Sequence, residues 1–173
     1  EREINAFLKE HGAKCEIVKG YGMTELCATS VCSFRGANAI GSVGVPLVSN
    51  TVKIVDMDTG KELSYNQTGE IWISAPSAML GYYENQKETN EVLVTDENGT
   101  RWVKTGDLGR MNSDGLLFHE GRIRRIYLTT FEGQPAKIFP GLIESSMKEL
   151  PDIFDIISVR RFSRVSSYSL NEN

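Results

Sequence analysis

Residues 19–30, KGYGMTELCATS, place an aromatic ring, a hydroxyl and a carboxylate side by side between glycines. Gly20 and Gly22 flank Tyr21, and Thr24 and Glu25 follow. Glycine lets a backbone come close to a ligand, so Tyr21 can lay its ring on a flat base. The Thr24 hydroxyl can donate to a phosphate or carboxylate oxygen. Glu25 can hold Mg²⁺, which takes hard oxygen ligands and leans on substrate phosphates for the rest. Together these groups make half of a nucleotide site. Taken singly, a Tyr-Gly pair is also an ordinary turn carrying a packing aromatic.

Two further stretches carry matching chemistry. In KTGDLG, residues 104–109, Asp107 follows a glycine at the end of a strand, so its carboxylate is held and can accept both hydroxyls of a ribose. The alternative is a plain turn aspartate. In HEGRIRRIY, Gly121 precedes Arg122, whose guanidinium can reach ribose or phosphate oxygens in a fork. Arg124 and Arg125 add charge beside it. Three arginines so close also suit a solvated strand edge, where charge discourages pairing.

The elements that must position these groups are short. Ile4, Phe7 and Leu8 fall on one helical face and Gly12 is a plausible stop. Residues 15–18 read as a strand entering the glycine loop. The segment GANAIGSVGVPLVSN is punctuated for turns. Strands are expected over 51–56 and 70–75, with an Asp-Thr-Gly turn between them. ENQKETNEVL has helix formers and an apolar end. The runs TRWVKTGDLGRM and GLLFHEGRI read as strands joined by an NSDG hairpin turn. This succession suggests a small distorted β-barrel. Beyond Gly121 the texture changes: a basic strand RIRRIYLTT, a helix with Leu142, Ile143, Met147 and Leu150 at helical spacing, and a strand over DIFDIISVRRF. The fold class expected is therefore α+β. A β-rich part spans residues 1–121, a hinge 122–124, and a second α+β domain begins over 125–173.

Composition narrows the rest. The 173 residues are 40% hydrophobic and 24% charged, enough for a core and too ordinary for disorder. A net charge of −4 gives no general attraction to nucleic acid or anionic membrane. Cys15, Cys27 and Cys32 form no CxxC pair and suit small buried side chains in a reducing compartment. No apolar run is long enough for a bilayer, which points to a cytoplasmic protein. The chain opens without Met and ends on a polar trail, so a fragment is expected.

GYGMTE, then GEIWISAPSAMLGYYENQKET, then WVKTGDLG, then GR with a basic residue two beyond, follow one another over residues 20–124, within a likeness that covers about residues 19–159. This series resembles the adenylate-forming superfamily, specifically the AMP-forming acyl-CoA synthetases. IFPGLIE also resembles the start of that family's small C-terminal lid domain. The resemblance implies that Tyr21 stacks on adenine with Gly22 beside it, and that Thr24 contacts phosphate and carboxylate. It makes Glu25 the Mg²⁺ ligand, Asp107 the ribose acceptor, Phe118 a neighbour of the nucleoside and Arg122 a second ribose or phosphate contact. Arg124 falls at the pivot of the lid. The implied reaction activates a small-molecule carboxylate with ATP and passes the acyl group to coenzyme A.

Several departures follow from the same comparison. The family's Ser/Thr/Gly-rich phosphate loop would precede Glu1, and its late lysine would follow Asn173. Without them the fragment is expected to be inactive and to bind nucleotide weakly. The glycine after the basic strand is delayed to Gly133, Pro135 is added, and Leu142 stands where an acidic residue is frequent. Lys137 suits either a phosphate or plain solvent. An adenylation domain of a peptide-assembly line is the nearest rival, against which Arg124 and GYGMTE argue; a fatty-acyl-AMP ligase stays open. From another class, a non-catalytic nucleotide-binding or interaction module would have no need for Thr24, Glu25, Asp107 and Arg122 together.

Overall fold

A computed structural model describes residues 1–123, together with the backbone of Tyr127–Phe131 and Gln134–Ile138. The chain divides into two compact units, Glu1–Arg124 and Arg125–Asn173.

In the first unit, helix α1 spans Arg2–Glu10 and Gly12 follows its end, as the apolar spacing suggests. Its apolar side is open: Ile4 and Phe7 are exposed. The strand expected over residues 15–18 does not form. Its backbone is tied by side chains instead, with Ile17 N–H donating to Asn5 Oδ1 at 2.8 Å and the Ile17 carbonyl accepting from Asn38 Nδ2 at 3.0 Å. Pairing begins a few residues later. Strand β1 (Gly20–Met23) turns through a single 3₁₀ turn (Thr24–Leu26) into β2 (Ala28–Cys32), which also pairs with β3 (Val45–Pro46). The glycine segment expected as a loop is thus a strand. It can be one because a Cβ at Gly22 would collide with the Ala28 carbonyl, so only glycine permits that closeness.

The second sheet contains the strands expected over 51–56 and 70–75 and both strands of the expected hairpin, together with a short strand over 93–95. It holds β4 (Thr51–Val55), β5 (Gly69–Ser74), β6 (Leu93–Thr95), β7 (Arg101–Met111) and β8 (Leu117–Arg122), ordered β4-β5-β7-β6 with β8 on β7. Helix α2 (Gln86–Val92) precedes β6 and is capped by Asn85, whose Oδ1 accepts from Glu88 N–H at 3.2 Å. Strand β5 alternates strictly: Gly69, Ile71 and Ile73 are buried, while Glu70, Trp72 and Ser74 face the other way. Leu26, Val31, Ile54, Ile71, Ile73, Val103 and Leu117 form one core drawn from both sheets. Each fully buried aliphatic side chain there contributes about 1.5–3 kcal/mol against exposure, before entropy is counted.

The sheets do not close into the barrel expected from sequence. Closure would need the free edge of β4, and the following loop covers it. Val55 bridges Glu62, Leu63 N–H donates to the Ile54 carbonyl at 2.8 Å, and Asp56 N–H to that of Lys61 at 2.8 Å. The opposite edge of β7 is shared by β6, over Arg101–Val103, and by β8, over Asp107–Met111.

In the second unit, β9 (Tyr127–Phe131) and β10 (Gln134–Ile138) form an antiparallel pair with Gln134 opposite Phe131. Strand β9 overlaps the basic strand expected over residues 122–130 and runs one residue past it. The helix with Leu142 and Met147, the strand over DIFDIISVRRF, and Gly133, Arg124 and Arg125 lie outside the described residues.

Candidate functional site

Asp107 owes its position to a bulge in β7. Opposite β5, Glu70 pairs with Leu108 and Trp72 with Lys104, so Ile71 alone faces three residues of β7. The displaced backbone is satisfied locally. The Thr105 hydroxyl donates to the Ile71 carbonyl at 2.7 Å and accepts from Asp107 N–H at 3.1 Å. Gly106 takes φ +69°, a conformation glycine reaches freely, and donates its N–H to Glu70 Oε1 at 3.1 Å. The other Glu70 oxygen accepts from Trp72 Nε1 at 2.8 Å. A second bulge, at Glu120 in β8, brings Arg122 directly opposite Asp107. Glu120 is itself held by Arg110 Nε at 2.9 Å and by the Thr68 hydroxyl at 2.8 Å.

Residues remote in sequence converge there. The Tyr21 hydroxyl donates to Asp107 Oδ2 at 2.7 Å, and Arg122 Nε lies 3.1 Å from Oδ1. His119 Nε2 stands 3.8 Å from the same oxygen, with its ring 5.6 Å from that of Tyr21. Asp107 is only 3% exposed, and its Oδ1 receives no aligned hydrogen bond despite the nearby guanidinium and imidazole. Burial works against the charge of Asp107, but His119, the Tyr21 hydroxyl and Arg122 outweigh it and hold the carboxyl below its ordinary range. Burial, with the carboxylate beside it, pushes the Tyr21 phenol well above its usual value, so the hydroxyl stays protonated and donates.

Thr24 and Glu25 sit at the 3₁₀ turn where two clefts adjoin. Gly22 and Thr24, with Met23 and Cys27, line a cleft of about 560 Å³. Glu25 and Arg122 line a second of about 560 Å³, together with Met23, Tyr82, Lys104 and Gly106. Glu25 Oε1 accepts from the Tyr82 hydroxyl at 2.6 Å. Phe118 packs under the Arg110 guanidinium, 4.2 Å from its ring centre, and the β8 side chains that lie against Asp107 are His119 and Arg122. The hinge residue Arg124 lies outside the described residues. Among the described residues no three His, Cys, Asp or Glu side chains group as metal ligands, and no helix is long and apolar enough to cross a membrane.

The sequence reading singled out neither His119 nor Tyr82, nor the supporting Thr105 and Glu70. His119 and Tyr82 do lie inside the quoted motifs, HEGRIRRIY and GYYENQKET. What was missing was register: without the two bulges, no count along the hairpin places Arg122 or His119 against Asp107.

A family model described as AMP-binding enzyme matches residues 1–83. The 4-coumarate–CoA ligase-like 2 of Arabidopsis thaliana is 33% identical over 161 residues, covering 88% of this chain and 28% of that protein. Long chain acyl-CoA synthetase 8, also of Arabidopsis thaliana, is 42% identical over 104 residues, covering 58% of this chain and 14% of that one. Among solved structures, the O-succinylbenzoate coenzyme A synthetase of Bacillus subtilis in complex with AMP superimposes with a TM-score of 0.69 at 27% identity, covering 88% of this chain and 30% of that one. The chain thus spans less than a third of the length of the curated relatives it matches.

Proposed function

The chain belongs to the adenylate-forming, AMP-binding enzyme family, and from that premise we propose that the protein carrying it is an ATP-dependent, AMP-forming acid–thiol ligase. In the first step a substrate carboxylate oxygen bonds to the α-phosphorus of ATP, the bond to pyrophosphate breaks, and an acyl-adenylate forms. In the second, the thiol of coenzyme A bonds to the acyl carbon and AMP leaves. Residues 1–121 supply the late part of the large domain, and residues from 125 onward begin the lid, which turns about Arg124.

The observation that carries this reading is the meeting of Tyr21, Asp107 and Arg122 around one buried carboxylate. The Tyr21 hydroxyl is tied down, so its ring is fixed as a platform for adenine. Asp107 keeps acceptor capacity on Oδ1 for ribose hydroxyls. Its cover on one side is the exposed Arg122 side chain, which moves at little cost and can pair with ribose or phosphate. Thr24, exposed at the cleft edge, donates to the α-phosphate or the acyl carboxylate. These groups bind, orient and offset charge; the nucleophiles belong to the substrates.

Magnesium fits the donor set. Glu25 offers a hard oxygen, and a site completed by phosphates and water needs only one or two carboxylates. The cleft around it carries Glu25, Glu70, Glu88 and Glu91 against Lys104 and Arg122, an acidic balance that favours a triphosphate arriving as its metal complex. When bound, the ion would offset charge on the phosphate oxygens.

Calorimetry with AMP tests the reading. Tyr21→Ala should weaken binding roughly tenfold or more, the scale of one base stacked on an aromatic ring. Equal affinities in the two proteins would refute it.

A further inference from the structure

The segment between β5 and α2 reaches Glu25 through two hydrogen bonds and the adjoining Leu26 through a third. Met79 N–H donates to the Glu25 carbonyl at 2.8 Å. The Ser77 hydroxyl donates to the carbonyl of the next residue, Leu26, at 2.8 Å. The Tyr82 hydroxyl donates to Glu25 Oε1 at 2.6 Å. The segment is itself fastened from behind. Tyr82 N–H donates to the hydroxyl of buried Thr89 at 2.9 Å, and that hydroxyl donates to the Asn85 carbonyl at 2.8 Å. The Arg101 guanidinium donates to the carbonyls of Met79 and Leu80. A strap held at both ends therefore grips the backbone and side chain of one glutamate.

We infer that Tyr82 is a positioning residue for Glu25, fixing one carboxylate oxygen so that the other is presented to a divalent cation on the nucleotide phosphates. This inference rests on the proposed ATP-dependent reading. A glutamate side chain is long and free to rotate, and a ligand that must first order it pays that entropy on binding. A short phenol–carboxylate hydrogen bond, strengthened by the charge on its acceptor, supplies the order beforehand. Oε2 has no hydrogen-bond partner among the described residues, so it is the oxygen left for the ion.

The test compares the protein carrying this chain with Tyr82→Phe, Glu25→Gln and the double variant. Mn²⁺ affinity in the presence of ATP is read by electron paramagnetic resonance, and AMP affinity without metal by calorimetry. Tyr82→Phe should weaken Mn²⁺ binding about tenfold, as loss of a partner to a metal ligand does. It should leave AMP affinity and the melting temperature near those of the parent. In the Glu25→Gln background the same change should cost less than about twofold, because the two residues act as one unit. Unchanged Mn²⁺ affinity in Tyr82→Phe would overturn the inference. So would an equal loss in both backgrounds, or a fall in AMP affinity and melting temperature together, since these mark a general structural role. A parent protein that binds no AMP would instead refute the nucleotide reading itself, and the inference with it.

Discussion

Replacing Asp107 by Asn removes one charge at nearly constant volume and probes the centre of the site. The parent carboxylate is 3% exposed, accepts the Tyr21 hydroxyl at 2.7 Å and pairs with Arg122 at 3.1 Å. A hydrogen bond to a charged group is worth about 1.5–3 kcal/mol, and the amide oxygen retains part of it. Arg122 adds little to the loss, because its side chain is 63% exposed and water takes up its charge. The net cost at pH 7 should be about 1–2 kcal/mol, or roughly 3–8 °C in melting temperature for a unit of this size. The pH dependence is more discriminating. The Asp107 carboxyl is held below its ordinary value in the folded chain, so its ionised form contributes stability above the unfolded value of about 4. That contribution is lost as pH falls through the lower folded value, and asparagine has none to lose. Urea unfolding at a series of pH values should therefore show the gap between the two proteins narrowing from pH 7 towards about pH 3. A gap independent of pH would show that Asp107 contributes packing alone, and the electrostatic account of the site would fail.

Two further outcomes follow from local geometry. Gly22→Ala drives a Cβ into the Ala28 backbone, with the Thr29 Cα only 2.7 Å away, so it should destabilise the chain by about 1–3 kcal/mol, read as a lower urea midpoint. Asn85→Ala removes the cap of α2 and should cost about 1 kcal/mol, seen as faster amide exchange in Gln86–Val92.

Sequence made some of this legible and not the rest, for physical reasons. Strands β4, β5, β7 and β8 announce themselves by alternation and by the NSDG turn, because a half-buried strand must alternate. Tyr21, Thr24, Glu25, Asp107 and Arg122 stood out through residue type and order. Residues 15–18 had the composition of a strand, but pairing is decided by neighbours, and Asn5 and Asn38 took the backbone groups first. Closure into a barrel failed for a similar reason: the loop after β4 covers the edge that closure needs. The exposed apolar face of α1 shows the limit of periodicity, which identifies the helix and says nothing about whether Ile4 and Phe7 are covered.

The bulge in β7 has a further property. It adds two residues against β5, an even number, so the up-and-down phase of the side chains is the same on either side of it. Val103 before it and Gly109 after it both stay buried, and both are odd-numbered positions of one strand. An odd insertion at this place would have turned the second half of the strand inside out and swapped core for surface. The chain can thus lift a carboxylate out of the ladder with β5, while it still pairs with β8, and resume that ladder in phase, which is how a rigid core and a built acceptor come to share one strand.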